Sequence, residues 1–327
     1  MNLDEYLEPK AEHAVLLTGA SGLIGGRLWR RLQQRADVRL TLALREPLAD
    51  LPDSVATRSI ASLEATDWQP VVRGHSVVVH AAARVHVLDE QASDPLAAFR
   101  RVNVEGTLAL ARAAAAAGVQ RFVFVSSVKA AGGESLPGKP LRADDPACPD
   151  GAYGLSKREA EEALLALAAD TGMQVVIVRP VLVYGPGVGG NFRRLMRWVR
   201  SGWPLPLAAV DNRRSMLALD NLVDLLNRCI DHPRAVNQIF MASDGDDVST
   251  PELLRRLAQA LGCPLRLLPL PVGCLQWLAR ACGKSAEAER LLGSLQVDIG
   301  KTREYLDWAP PLGMPAALAL LRDEPCA

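Results

Sequence analysis

The sequence predicts an α/β protein, a doubly wound parallel sheet with a smaller C-terminal lobe. Three observations point there. Short, continuously apolar runs alternate with helix-like stretches through the first half of the chain. Glycines cluster where the first run gives way to the first helix, and beyond Val183 the chain turns rich in Gly and Pro. Strands that are apolar throughout, with helices between them, belong to parallel sheets covered on both faces.

Taken in order, Val15–Thr18 reads as a strand, Leu23–Gln34 as a helix and Val38–Leu44 as a second strand. Val77–Ala81 is another apolar run. A long Ala-rich helix follows, from Pro95 to Ala117, closed by Gly118 at its C′ position. Arg121–Ser126 ("RFVFVS") reads as a buried strand, Tyr153–Asp170 as a helix, and Gln174–Val178 as the next strand. After Val183, "VYGPGVGGN" and "SGWPLPL" hold too much Gly and Pro for long regular elements. "VNQIFMASD" reads as one more strand, and Thr250 followed by Pro251 opens a helix by the N-cap and N1 preferences. The expected division is a sheet domain over 1–182 and a lobe over 183–327, with segments near 214–243 returning to the sheet.

The composition is that of an ordinary globular protein: 327 residues, 49% apolar and 23% charged. Basic and acidic residues balance at 37 each, so the totals advertise neither nucleic acid nor a membrane surface. The opening "MNLDEYLEPKAEH" lacks the apolar core of a secretory signal. No apolar run approaches the roughly 20 residues that span a bilayer. A cytoplasmic protein is expected, and its six cysteines (148, 229, 263, 274, 282 and 326), which form no CxxC pair, are expected to be reduced thiols. The five histidines include no HExxH or similar spacing, so no metal site is expected.

"VLLTGASGLIGGRL" places Gly19, Gly22 and Gly25 at the junction of the first strand and first helix. Glycine takes positive φ after a strand and lets a ligand touch the backbone. A helix beginning there aims free N–H groups and its positive end at that ligand, which suits a pyrophosphate. In this reading Gly19 makes the turn, Gly22 admits the phosphates and Gly25 allows close packing of the helix. The fold is then Rossmann-type, and the ligand NAD or NADP. The spacing G-x-x-G-x-x-G in "TGASGLIG" resembles the short-chain dehydrogenase/reductase superfamily, in its extended branch of nucleotide-sugar enzymes.

Residues suited to catalysis follow in the order that resemblance implies. "YGLSK" puts Tyr153 and Lys157 four apart, on one face of a helix. A free tyrosine titrates near 10, and an ammonium with a cationic oxidised nicotinamide both favour its phenolate. Ser127 follows a buried strand, at the end where open parallel sheets place their crevice, and can hydrogen-bond a substrate oxygen. Ser126 is the alternative. The resemblance implies Ser127, Tyr153 and Lys157 as the catalytic set, with Tyr153 and Lys157 also touching the cofactor.

The resemblance covers residues 13 to 310 and implies further contacts. Ser21, Leu23 and Ile24 join the glycines at the cofactor. Ser62, Leu63 and the "HAAA" residues Ala81, Ala82 and Ala83 border it, as do Asn103 of "RVNVEGT" and Pro180 and Val183 of "RPVLVYGPG". Val128 and Lys129 with Ser127, then Asn191 of "NF" and Arg213 of "NRRS", are implied at the nucleotide-sugar. Arg213 and Arg214 are each otherwise readable as solvated charges.

Departures from the family pattern narrow the reaction. The 4,6-dehydratases carry an Asp-Glu pair directly after the catalytic Thr, where this chain has Val128 and Lys129. The 4-epimerases of the family show an acid at the end of the second strand. Here "LTLALRE" places Leu44 and Arg45 there, and an Arg can pair with a 2′-phosphate, which favours NADP over NAD. Glu46 is the rival, reaching the ribose instead. "AARVHV", "GNFRRLMR", "LDNLVDLL" and "LLGSLQVD" resemble bacterial 4-keto reductases that form UDP-N-acetylquinovosamine for O-antigen or other surface polysaccharide. That resemblance implies reduction of a UDP-4-keto-6-deoxy-N-acetylhexosamine. A UDP-hexose or UDP-HexNAc 4-epimerase is the alternative, and a non-catalytic NADP-sensing Rossmann protein is the alternative of another class. A homodimer is expected too, because Leu155, Leu164, Leu165 and Leu167 give the Tyr153 helix more apolar surface than one sheet face needs.

Overall fold

The computed structural model of the protein describes residues 13–49, 51–85, 94–136, 138–283 and 285–322. Its centre is a seven-stranded sheet. The strands are β1 (His13–Thr18), β2 (Val38–Leu44), β3 (Ala56–Ser59), β4 (Val77–His80), β5 (Arg121–Val125), β6 (Gln174–Pro180) and β9 (Gln238–Ala242), in the spatial order β3-β2-β1-β4-β5-β6-β9. Every pairing from β3 through β6 is parallel; Val15, for example, faces Leu40 on one side and Val77 on the other. A second, two-stranded sheet pairs β7 (Leu182–Tyr184) with β8 (Met216–Ala218).

The sequence dictates this sheet through unbroken apolar runs. Every residue of β4 and β5 is buried, and so is all of β6 after Gln174. Each Val, Leu, Ile or Phe removed from water in this way contributes about 1.5–3 kcal/mol. One face packs on the helices α4 and α5 defined below, where Leu110, Ala114, Ala160 and Leu164 meet Leu16, Val78, Phe122 and Ile177. The strand β3 had no sequence signature: all four residues of "ATRS" are exposed at the sheet edge.

The first helices are α1 (Leu23–Leu32), the short α2 (Gln69–Val72) and α3 (Pro95–Arg100). Asp94 caps α3 by accepting from the Ala97 N–H at 3.0 Å. A π-helical turn, Arg101–Gly106, joins α3 to α4 (Thr107–Ala116). The single helix expected over Pro95–Ala117 is therefore continuous in path but changes hydrogen-bond register midway. α5 (Gly151–Thr171) ends at Gly172, whose φ of +74° supplies the left-handed residue that a helix terminus favours. Leu164 of α5 is fully buried, and Leu165 and Leu167 pack partly buried against the same core. Leu155 is half-buried too, and the outer side of the helix carries an Arg158–Glu162 ion pair.

The remaining helices are α6 (Gly190–Arg200), α7 (Leu219–Cys229), α8 (Thr250–Leu261), α9 (Val272–Ala281), α10 (Ser285–Leu292), α11 (Gly300–Leu306) and α12 (Met314–Ala319). The N-cap of α8 is Ser249, whose hydroxyl accepts from the Glu252 N–H at 3.3 Å, and not Thr250. That places Pro251 one position further into the helix than expected. Thr250 is buried instead and donates to the Leu291 carbonyl.

The chain forms two compact units. One comprises 1–130, 149–179 and 226–239; the other comprises 131–148, 180–225 and 240–327. Two stretches thus lie across a single cut at 182: 131–148 belongs to the second unit, and 226–239 to the first. Among the described residues no helix is long and apolar enough to cross a membrane, and Cys148, Cys229, Cys263, Cys274 and Cys282 are all free thiols.

Candidate active site

The strand order sends the chain outward from β1 to β3 and then back across to β4, so β1 and β4 flank the switch point of the sheet. Ligands of open parallel sheets bind beyond the carboxyl ends of the strands at that point. The Gly19 turn follows β1 there, with φ at +78°. A Cβ on Gly19 would lie 2.6 Å from the Ala82 N of the loop after β4, so only glycine fits. Gly25 is as constrained: its Cβ would stand 2.1 Å from the Gly19 carbonyl oxygen. The third glycine therefore lets the helix close on its own turn. Gly22 differs from both, being exposed and serving as the N-cap of α1 with no side-chain cap. The first N–H groups of α1 are left for a ligand, with Ser21 exposed and Leu23 and Ile24 half-buried beside them.

Behind the turn, Thr18 Oγ1 lies 2.7 Å from His80 Nδ1, and His80 Nε2 lies 3.0 Å from Thr107 Oγ1. Burial, with Lys157 adding to it, pulls the His80 pKa down to about 3, so this imidazole is neutral. It ties β1, β4 and α4 together beneath Ala81, Ala82 and Ala83, which are half-buried along the crevice. Arg45 and Glu46 are both exposed directly after β2. Ser62 is half-buried, whereas Leu63 commits its side chain to the core. Asn103, on the π turn, accepts from the Arg84 N–H at 2.8 Å and donates to the Arg84 carbonyl at 3.0 Å and to Ser156 Oγ at 3.1 Å.

Ser127, Tyr153 and Lys157 converge in the same unit. A 3₁₀ turn over Val128–Ala130 follows β5 and packs on the first turn of α5. The contact is close because Gly154 has no side chain; its Cβ would lie 2.4 Å from the Lys129 carbonyl oxygen. This holds the half-buried Ser127 within hydrogen-bonding reach of the Tyr153 hydroxyl. Burial pushes the Tyr153 phenol up to about 12, and the Ser127 hydrogen bond pulls it back only in part. Lys157 is buried, donates from Nζ to the Val125 carbonyl at 2.7 Å and lies 4.1 Å from the Phe124 ring centre. Burial lowers its ammonium to about 7, against the opposing pull of Glu161. Burial thus favours the protonated phenol, the form that can donate a proton.

Ser126, the alternative hydroxyl, is buried and already donates to Glu161 Oε1. Glu161 also pairs through Oε2 with Arg179 at 2.6 Å, and both charged side chains are fully buried. This pair escaped the sequence reading, although Tyr153, Lys157 and Glu161 recur every fourth residue on one helix face. Val128 is buried, and Lys129 is paired with Asp150 at 2.6 Å.

The other unit holds the rest of the expected contacts. Pro180 ends β6, and the half-buried Val183 lies in β7. Asn191 is exposed in the first turn of α6, and Arg213 is exposed just before β8. Arg214 is distinguished from Arg213 by its environment: its guanidinium donates to the Gly293 carbonyl at 3.0 Å, and burial lowers its pKa. Among the described residues, His13, Asp37 and Asp231 form a cluster of potential metal donors, but Arg35 bonds both carboxylates.

Fold and site define an enzyme of the extended short-chain dehydrogenase/reductase type, with a glycine cradle after β1 and a Ser–Tyr–Lys set between the end of β5 and the start of α5. The chain belongs to the NAD dependent epimerase/dehydratase family, which its residues 15–242 match. It is similar to a UDP-glucose 4-epimerase of Vibrio cholerae, 45% identical over 304 residues and 92% of either chain. MoeE5 in complex with UDP-glucuronic acid and NAD shares its structure with a TM-score of 0.74 at 25% identity, over 94% of this chain and 97% of that one. The fold is also that of the UDP-glucose 4-epimerase of Thermotoga maritima, at a TM-score of 0.74 and 20% identity, over 94% of this chain and 96% of that one. The glycine cradle, where any Cβ at Gly19 or Gly25 would collide, fits the dinucleotide of this family.

Proposed function

We propose that this protein reduces the C4 ketone of a UDP-4-keto-6-deoxy-N-acetylhexosamine, with NADPH favoured over NADH. The observation behind this reading is the end of β2. Leu44 is buried there, Arg45 follows exposed, and the first acid, Glu46, stands two residues beyond the strand. A 2′-phosphate suits that arginine, and a cofactor that arrives reduced and leaves oxidised suits a reductase.

When bound, the nicotinamide supplies a hydride to the C4 carbon. Tyr153, whose burial keeps the phenol protonated, donates its proton to the C4 oxygen. The Ser127 hydroxyl hydrogen-bonds the same oxygen and fixes its position, since Ser127 already holds Tyr153. Lys157 holds the cofactor ribose, and Gly19, Gly22 and Gly25 with the α1 N–H groups hold the pyrophosphate. Asn191 and Arg213 grip the nucleotide diphosphate. Val128 and Lys129 leave no acid and base for removing water across C5 and C6, so the ketone must come from a separate dehydratase.

A second reading, a UDP-hexose 4-epimerase, is favoured by the 45% identity to the Vibrio cholerae protein. One assay separates them. Incubation with NADPH and the UDP-4-keto-6-deoxy-N-acetylhexosamine should consume one NADPH per sugar and stop. Interconversion of UDP-glucose and UDP-galactose without added cofactor would replace the reductase by the epimerase. Failure to turn over either sugar would leave a dinucleotide-binding sensor.

A further inference from the structure

The balance of 37 basic and 37 acidic residues hides a local segregation. Two stretches of the second unit contain no acid at all. From Gly189 to Val210 the chain carries Arg193, Arg194, Arg197 and Arg200, and from Gly262 to Gly283 it carries Arg266 and Arg280. The structure brings the two together. Leu205 bridges to Leu267, with its N–H on the Arg266 carbonyl at 2.8 Å and its carbonyl accepting from Leu268 N at 2.9 Å; Ala208 N reaches the Leu268 carbonyl at 3.1 Å.

The joined surface presents large apolar side chains to solvent. Trp203 is 75% exposed, Trp277 67%, Leu268 52% and Leu278 46%. No residue of α9 is buried, although the helix reads "VGCLQWLARA". Leu270, Gly273, Cys274, Trp277 and Leu278 line an open cavity of about 320 Å³ on it. A helix packed on its own protein buries an apolar stripe; this one keeps Trp and Leu outside and Arg280 in its last turn.

Tryptophan and leucine at the surface, with the exposed Arg266 and Arg280 on the same segments, describe a surface that lies in the headgroup layer of a bilayer. The tryptophan rings enter the acyl boundary, and the arginines meet anionic headgroups. We infer that the face formed by α9, residues 264–270 and the Trp203 loop docks on an anionic lipid bilayer, peripherally and without a spanning segment. The exposed Arg266 and Arg280 give this face its positive charge, and an anionic leaflet offers the opposite charge along any direction of it. Neither the identity of the substrate nor the direction of the reaction enters this inference.

Vesicles of phosphatidylcholine with roughly one-third phosphatidylglycerol test it, by flotation of the full chain and by quenching of tryptophan with brominated lipid. The protein should float with these vesicles, lose most binding on pure phosphatidylcholine, and lose it also in about 0.5 M salt, where the Debye length falls to ~4 Å. Trp203→Ser with Trp277→Ser should weaken binding roughly tenfold or more, because both rings leave the acyl boundary. Circular dichroism and dinucleotide binding of that variant should match the parent, since both side chains are exposed. Absence of flotation, or flotation unchanged by the two substitutions, would overturn the docking face. So would light scattering showing that the substitutions dissociate a dimer, which would assign the face to a second copy of the chain.

Discussion

At the scale of single residues, environment decides what a side chain can do, and Tyr153 shows it. Its spacing from Lys157 was readable from "YGLSK", and so was the place of Ser127 after an apolar strand. The upward shift of its phenol was not, because it depends on burial that only the assembled sheet provides. Phenylalanine at 153 removes the hydroxyl and keeps the ring that meets Phe99 edge-on at 5.9 Å. Tyr153→Phe should lower kcat by about 10²–10⁴, the usual contribution of a positioned acid or base, while dinucleotide affinity by fluorescence titration stays within a few-fold. Near-normal turnover would take Tyr153 out of the reaction. The Glu161–Arg179 pair was hidden for a related reason. A charged residue in a helix reads as solvent-facing until its partner is known, and that partner lies on β6. Unpaired, either charge would cost several kcal/mol to bury; paired at 2.6 Å, they sit directly under the strand end that presents Ser127.

Elements position these residues through backbone that side-chain patterns do not report. "RVNVEGT" contains nothing that forbids an α-helix, and the sequence accordingly reads as one helix from Pro95 to Ala117. The π turn at Arg101–Gly106 sets Gly106 against Leu63, where a Cβ would lie 2.8 Å from Leu63 Cβ. The turned-in Asn103 then reaches Ser156, whose hydroxyl donates to the Tyr153 carbonyl at 2.8 Å. A helix two elements away is thereby linked to the turn that holds the phenol. Gly154 offers the sharpest test of this arrangement. Alanine favours a helix over glycine by about 1 kcal/mol, so propensity alone makes Gly154→Ala stabilising. The structure says the opposite, because the new methyl would stand 2.4 Å from the Lys129 carbonyl, which is backbone and cannot rotate away. Gly154→Ala should cost about 1–3 kcal/mol by overpacking. It should also lower kcat by up to about 10²-fold, the penalty for displacing reacting groups by around 1 Å. Thermal denaturation and initial rates read both effects. A more stable, fully active variant would show that α5 does not bear on the Ser127 turn as described.

On the scale of the whole molecule, the order of segments in sequence is not their order in the fold. The shift to Gly-rich and Pro-rich texture after Val183 was legible and led to a division at 182 with segments near 214–243 returning to the sheet, but texture gave no sign that 131–148 belongs to the second unit. Residues 226–239 come back to the first unit because buried donors there need them. Arg121, itself buried, gives Nη1 to the Cys229 carbonyl at 3.1 Å besides bonding Gln174. Arg35 bonds Asn227 at 3.0 Å and Asp231 at 2.6 Å, and the Val175 N–H donates to Asn237 Oδ1 at 2.9 Å. Cys229, Ile230 and Ala235 are each at most 2% exposed. A fragment of residues 1–182 would keep every candidate catalytic residue and every glycine of the cradle, and would still lack all of these. Each buried group left without its partner costs about 1–3 kcal/mol, and the apolar edge of β6 would lose its neighbour β9 and invite aggregation. Against a total stability of about 5–15 kcal/mol, three or four such losses are decisive. The 1–182 fragment should therefore be insoluble or lack a cooperative thermal transition by circular dichroism, while the full chain melts cooperatively. A soluble 1–182 fragment that melts sharply and binds dinucleotide would mean that the first unit closes without residues 226–239.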